Sequence, residues 1–145
     1  MKDQNYSNHK QYYIPHHFVF YPTVLALMAF GIYKSRVDET LSSVWIFLTI
    51  LVAVVAWLSF MVRQHYGMTV QDRIIFMELR YRYFVITGER FEAIEEQLSK
   101  GQLFALRFAS DAEFVPLIKR AIDEQLSGTA IKQSIKQWKA DNQRV

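Results

Sequence analysis

The chain has 145 residues, 51% of them hydrophobic and 15% aromatic, with no cysteine and a formal charge of +3. The missing cysteines exclude a disulfide framework, a cysteine-ligated zinc centre and thiol catalysis. Charge is unevenly placed: residues 18–33 and 44–62 carry none, while residues 63–145 hold 24 of the 31 charged side chains, which excludes an ordinary soluble single domain.

Residues 1–14 form an N-terminal arm with Lys2, Lys10, Tyr12 and Tyr13. A first membrane span follows over 15–33, built on the 16 uncharged residues Phe18 to Tyr33. Pro15 suits the first helical position, where a missing N–H costs nothing. Pro22 lies inside the segment, removes a backbone bond and predicts a kink. A cleavable signal peptide is the rival reading, since Ala29 and Gly31 satisfy a small-x-small pattern after an apolar run. The preceding region is long, mixed in charge and rich in aromatic and histidine side chains, which favours a span. Residues 34–43 are read as a short external loop. Val44 to Val62 is 19 residues without a charge, and as a helix it covers ~28 Å, close to the hydrocarbon thickness of a bilayer.

Direction follows from lysine and arginine near the span ends. Lys2, Lys10, Arg63, Arg73, Arg80 and Arg82 lie on one side, and Lys34 and Arg36 on the other. Both termini are therefore expected in the cytoplasm. Tyr33 and Trp45 would form the outer aromatic belt, with Tyr12, Tyr13, Tyr21, Trp57 and Tyr66 toward the inner face.

Residues 63–145 read as a cytoplasmic string of short helices. Gly67, Gly88, Gly101 and Gly128 fall between helical-period segments and act as stops. Thr69 with Asp72 suggests a capping box for a helix over 70–87. Within it Val70, Ile74, Met77, Tyr81 and Phe84 recur at spacings of 4, 3, 4 and 3, the stripe a helix uses to pack along another helix. Glu78 and Arg82 are spaced to pair on its solvent side. Short segments follow around Phe91–Leu98 and Gln102–Ala109. Ser110 with Glu113 suggests a cap for a helix to Leu126, with Pro116 awkward inside it. Ser127 caps a final helix ending near Ala140, where Ile131, Ile135 and Trp138 form an apolar stripe and Lys132, Lys136 and Lys139 a basic one. The tail has few residues for an independent core, so it is expected to lean on the 70–87 helix, the bilayer or another subunit. The class is an all-α membrane protein: a two-helix transmembrane hairpin and a small cytoplasmic tail of four to five short helices.

Chemistry is sparse. His9, His16, His17 and His65 map to the cytoplasmic edge. His16 or His17 with His65 could hold a haem between helices, although interfacial imidazoles are common and no helical ligand spacing accompanies them. Glu89, Glu92, Glu95 and Glu96 read as a solvated face. Neither a phosphate loop nor a nucleophile elbow is present. The spans contain no Asp, Glu, Lys or Arg, which argues against a pump or transporter. Thr49, Ala53 and Ala56 are small enough for close helix–helix contact. A pI near 9.2 is accounted for by the juxtamembrane arginines, each favouring anionic lipid by about 1 kcal/mol, and nucleic-acid binding is not expected. Arg107, inside an apolar stretch, needs a partner such as Asp111.

Several motifs resemble an uncharacterised family of small two-span bacterial inner-membrane proteins, a domain of unknown function. They include Asn5-Tyr6-Ser7-Asn8-His9, Tyr12-Tyr13-Ile14-Pro15-His16-His17-Phe18, Gln71-Asp72-Arg73-Ile74-Ile75 and Arg82-Tyr83-Phe84. Glu96-Gln97-Leu98, Ala105-Leu106-Arg107-Phe108-Ala109-Ser110-Asp111 and the closing Ile131-Lys132, Ile135-Lys136, Trp138, Asp141 and Arg144-Val145 extend the likeness over nearly the whole chain. The resemblance implies a bacterial membrane protein with no assigned activity and no catalytic residues to carry over.

The function expected is a non-catalytic accessory or assembly subunit of a bacterial cytoplasmic-membrane complex, with no cofactor and no small-molecule substrate. Partners would be other subunits, or copies of itself, docking on Val70, Ile74, Met77, Tyr81, Phe84, Arg107 and Trp138, besides anionic headgroups. The alternatives are a haem- or metal-binding redox subunit using His16, His17 and His65, and a surface adapter binding anionic lipid or an acidic partner through Lys132, Lys136 and Lys139.

Overall fold

The computed structural model describes residues 4–9 and 12–141. Lys2 and Lys10 of the orientation count, and Arg144 and Val145 of the closing motif, lie outside the described residues. Two compact units are present: Tyr12–Val70, and Met1–Gln11 with Gln71–Val145. Among the described residues the regular structure is all helical, and the one strand-like pairing is an isolated bridge between Ala109 and Trp138.

The first unit is a helical hairpin of α1 (Tyr21–Val37) and α2 (Ser42–Met61). A π-helical turn, Pro15–Phe20, leads into α1. Pro22 has no N–H for the carbonyl of Phe18 and its ring would crowd that carbonyl; the widened turn ahead of it, which contains Phe18, takes up the misfit. Both helices outrun their uncharged segments, so the connection is residues 38–41 rather than 34–43. Asp38 organises it, accepting from the Leu41 amide at 3.1 Å and the Trp45 indole at 3.3 Å. Lys34 sits over the Trp45 ring and Phe30 meets it edge-on. Gly31 allows the close approach: a Cβ there would collide with the Thr49 hydroxyl, which donates to the Trp45 carbonyl at 2.8 Å. Of the small residues expected at the contact, Thr49 makes it, while Ala53 and Ala56 line a shallow apolar depression with Trp57. Helical runs Pro15–Val37 and Ser42–Thr87 are long and apolar enough to cross a membrane, and their apolar side chains are largely uncovered within the chain.

Gly67 does not stop the second run. Val62–Gly67 is a π-helical turn, and the helix continues directly into α3 (Met68–Thr87). A glycine inside a helix costs only about 1 kcal/mol, too little to break a run supported on both sides. The Thr69–Asp72 box does not form; the Thr69 hydroxyl bonds back to the His65 carbonyl at 2.5 Å. Gly88, by contrast, ends α3 as expected with φ +75°, a left-handed value glycine adopts without strain.

The second unit packs α4 (Glu92–Glu95), α5 (Lys100–Leu106), α6 (Asp111–Asp123) and α7 (Gly128–Ser134) with α3. Ile75, Leu79 and Tyr83 of α3 meet Phe91, Leu106, Phe114, Ile118 and Ile131 in one core. Leaning on the 70–87 helix was expected. In α6 Phe114, Leu117, Ile118 and Ala121 form the buried face, the i, i+3, i+4, i+7 pattern of an amphipathic helix, and Pro116 is accommodated inside it. Ser110 precedes α6 but its side chain makes no cap bond; Glu113 instead accepts from the amides of Lys136 and Gln137 at 3.3 and 3.0 Å. The capping box that does form is Ser99 with Gln102. Gln102 also donates to the Leu126 carbonyl at 2.8 Å, so one amide serves the start of α5 and the chain just beyond α6.

Ser127 caps α7 as expected, accepting from Ala130 N at 3.1 Å. The helix to Ala140 is not formed: α7 ends at Ser134 and Ile135 is extended. Ser110 N donates to the Gln137 carbonyl and Lys139 N to the Phe108 carbonyl at 3.0 and 2.8 Å. With Glu113 these partners outbid the helical bonds for the backbone of 136–139.

Gly101 and Gly128 mark a close approach of α5 and α7. A Cβ on Gly128 would stand 2.5 Å from the Gly101 carbonyl oxygen, whereas one on Gly101 meets nothing within 4 Å. Gly128→Ala is expected to destabilise the second unit by about 1–3 kcal/mol, and Gly101→Ala to be neutral or stabilise it by up to ~1 kcal/mol. Denaturant midpoints of the two variants in the full chain check the contrast.

Candidate interaction surface on the third helix

Helix α3 carries two apolar faces. Ile75, Leu79 and Tyr83 are buried in the core, and at ~100° per residue the stripe of Val70, Ile74, Met77, Tyr81 and Phe84 falls on the opposite side. All five stripe residues are exposed, Met77 at 67% and Tyr81 at 73%. A single apolar side chain on a surface is ordinary, whereas a continuous apolar stripe is uncommon on a surface that faces only water.

Two arginines fix which face of α3 turns inward. Arg80 gives a two-pronged ion pair to Glu95 at 2.6 and 3.0 Å; that bond raises the guanidinium above its ordinary pKa against the smaller opposing effect of burial. Arg82 does more. Its side chain is 11% exposed, its Nε lies 2.5 Å from Asp111 and its Nη2 donates to the Ala109 carbonyl at 2.5 Å. Its guanidinium also stacks 4.3 Å from the centre of the Phe114 ring. The solvent-side pairing of Glu78 with Arg82 is therefore corrected: Arg82 points into the corner between α5 and α6.

That engagement reassigns other partners. Arg107 lies 3.4 Å from Asp141 and stacks on Phe108, since the anticipated partner Asp111 is engaged by Arg82. Trp138 packs on Phe108 and His9 at centroid distances of 5.0 and 5.9 Å, and with buried Ile131 and Ile135 it closes the core. Lys132, Lys136 and Lys139 do not share a helix face, because only Lys132 lies on α7. Lys132 reaches the His9 ring, Lys136 follows the end of the helix, and Lys139 lies 3.9 Å from Asp111.

His9 is the largest departure from the expected map. It is buried in the second unit, among Tyr6, Phe108 and Trp138. Its Nδ1 donates to the Tyr6 carbonyl at 2.6 Å and its Nε2 accepts from Lys132 at 3.3 Å, the arrangement of an imidazole protonated on Nδ1. Gln4 reinforces the arm by accepting from the Asp141 amide at 2.8 Å. His16 stacks on Phe20 and His17 donates to the Tyr13 carbonyl at 3.1 Å. The ring contact of His65 is with Tyr66, so His17 and His65 have separate neighbours. Among the described residues no group of three or more His, Cys, Asp or Glu side chains is placed to hold a metal ion.

The model of a family of unknown function (DUF6526) matches residues 1–145, the whole chain. The chain belongs to that family. No curated protein and no solved structure matches it. Membership agrees with the motifs quoted from Asn5 to Val145 and attaches no reaction to any of them. In this member of DUF6526 the roles of Arg82, Gln102 and the arm were not read from sequence. Ser99-x-x-Gln102 is a legible capping signal, whereas nothing local links His9 to Lys132.

Arg82→Ala is expected to cost about 1–3 kcal/mol, because it leaves the buried Ala109 carbonyl without its donor and removes the guanidinium from the Phe114 ring. Arg82→Lys should recover only part of this, lacking the planar fork; denaturation of the full chain in detergent checks both. His9→Ala removes the ring that packs against both Phe108 and Trp138, and exchange of the Asp141 amide, held by Gln4, should quicken ~10-fold or more.

Proposed function

We propose that this protein is a non-catalytic accessory or assembly subunit of a bacterial cytoplasmic-membrane complex, anchored by its hairpin and docking through α3. The observation that carries this reading is the exposed stripe Val70, Ile74, Met77, Tyr81 and Phe84 on a helix whose other face is already buried. The two apolar runs support membrane anchoring by length and composition. A further support is topological. Gln4 and His9 belong to the same compact unit as Lys132 and Asp141, which supports reading the chain between them as crossing a bilayer an even number of times. Arg63, Arg73, Arg80 and Arg82 come after the uncharged segment 44–62, which supports reading that side as the cytoplasm. Arg63 is suited to anionic headgroups there.

Replacing Met77 and Tyr81 together by glutamate puts charge in the centre of the stripe. Both are exposed, so stability should change by no more than about 0.5 kcal/mol for each. Affinity for the complex should fall roughly 100-fold or more. The expected result on native gels of mildly extracted membranes is loss of the large species with the variant still in the membrane fraction. Retention in the complex would remove the stripe as the docking surface.

A further inference from the structure

We infer that the occupant of the α3 stripe is a second copy of the same chain, paired with it as a parallel two-stranded coiled coil. The inference rests on the proposed docking role of α3 and adds the identity of the partner. The 4, 3, 4, 3 spacing places Ile74 and Tyr81 at heptad a positions and Val70, Met77 and Phe84 at d positions. Arg73 and Arg80 then occupy g positions, and Gln71 and Glu78 occupy e positions.

Charge decides the direction. In a parallel pair each g residue lies beside the e residue five positions on in the other copy, so Arg73 meets Glu78 of the second copy, twice by symmetry. Antiparallel pairing sets g against g, so Arg73 would face Arg80, whose charge Glu95 already engages, and would find no carboxylate. Among the described residues Arg73 and Glu78 enter none of the ion pairs within the chain. Two copies anchored in one membrane by the hairpin that precedes α3 also run the same way. The seam spans only two heptads, too short to hold strongly in free solution; confinement to a membrane raises the effective concentration that it needs.

The chain has no cysteine, so one introduced thiol reports one position. In native membranes carrying the full-length chain, Met77→Cys should give, on mild oxidation, a covalent species at twice 17.1 kDa. Thr69→Cys, exposed on α3 outside the seam, should not. Arg73→Glu sets like charges beside Glu78 and should lower the Met77→Cys cross-linking about 10-fold; adding Glu78→Arg should restore it. Equal cross-linking at Thr69 and Met77, or none at Met77, overturns the paired-copy proposal. If Met77→Cys then stays monomeric while the double glutamate variant still leaves its complex, the docking role stands with a different partner. If that variant also stays in its complex, the docking role falls too.

Discussion

Arg82 holds the second unit in register. Its guanidinium serves a carboxylate at the start of α6 and a carbonyl between α5 and α6, and it lies against the Phe114 ring. A nearly buried cation survives only when its hydrogen bonds are met, and these come from a corner built by two other helices. The corner and the rotation of α3 are thus mutually specified. Once Arg82 is seated, Leu79 and Tyr83 are turned into the core, and Met77 and Tyr81 are left outside.

The two apolar faces of α3 explain how so small a tail folds. Residues 89–145 alone lack the buried area that an independent domain of ordinary size commands. Borrowing Ile75, Leu79 and Tyr83 from the long helix, and Gln4 and His9 from the arm, enlarges the interior without lengthening the tail. The hairpin is organised on the opposite principle. Its contact is made by Gly31, Thr49 and the Asp38–Trp45 turn, and its apolar side chains face outward, as they do where lipid is the solvent.

Much of this was legible in the residue pattern. Periodicity and missing charge revealed the two apolar runs, Gly88 and Ser127 marked real helix ends, and the stripe from Val70 to Phe84 was read on its actual helix. The errors share a cause. Gly67 and the Thr69–Asp72 pair looked like a break because local signals carry no account of a helix sustained from both sides. Ile131, Ile135 and Trp138 fit a helical period, yet Glu113 and the Phe108 carbonyl claim the backbone amides of that stretch. Arg82 and Arg107 exchanged their expected partners for the same reason: Asp111 is four residues from Arg107, but the fold brings Arg82 to it. Distant pairing leaves no trace in local spacing, and apart from Tyr6 the His9 site is made of it.

That site also sets an order of events during synthesis. Gln4 and His9 leave the ribosome well before Lys132 and Asp141, which hold them. Two apolar runs must be committed to their environment in between. Contacts of such separation form late, after closure of a very long loop. While the residues between them are made, the arm therefore waits with its binding surface still untranslated, and translation of Lys132 and Asp141 is what ties it down.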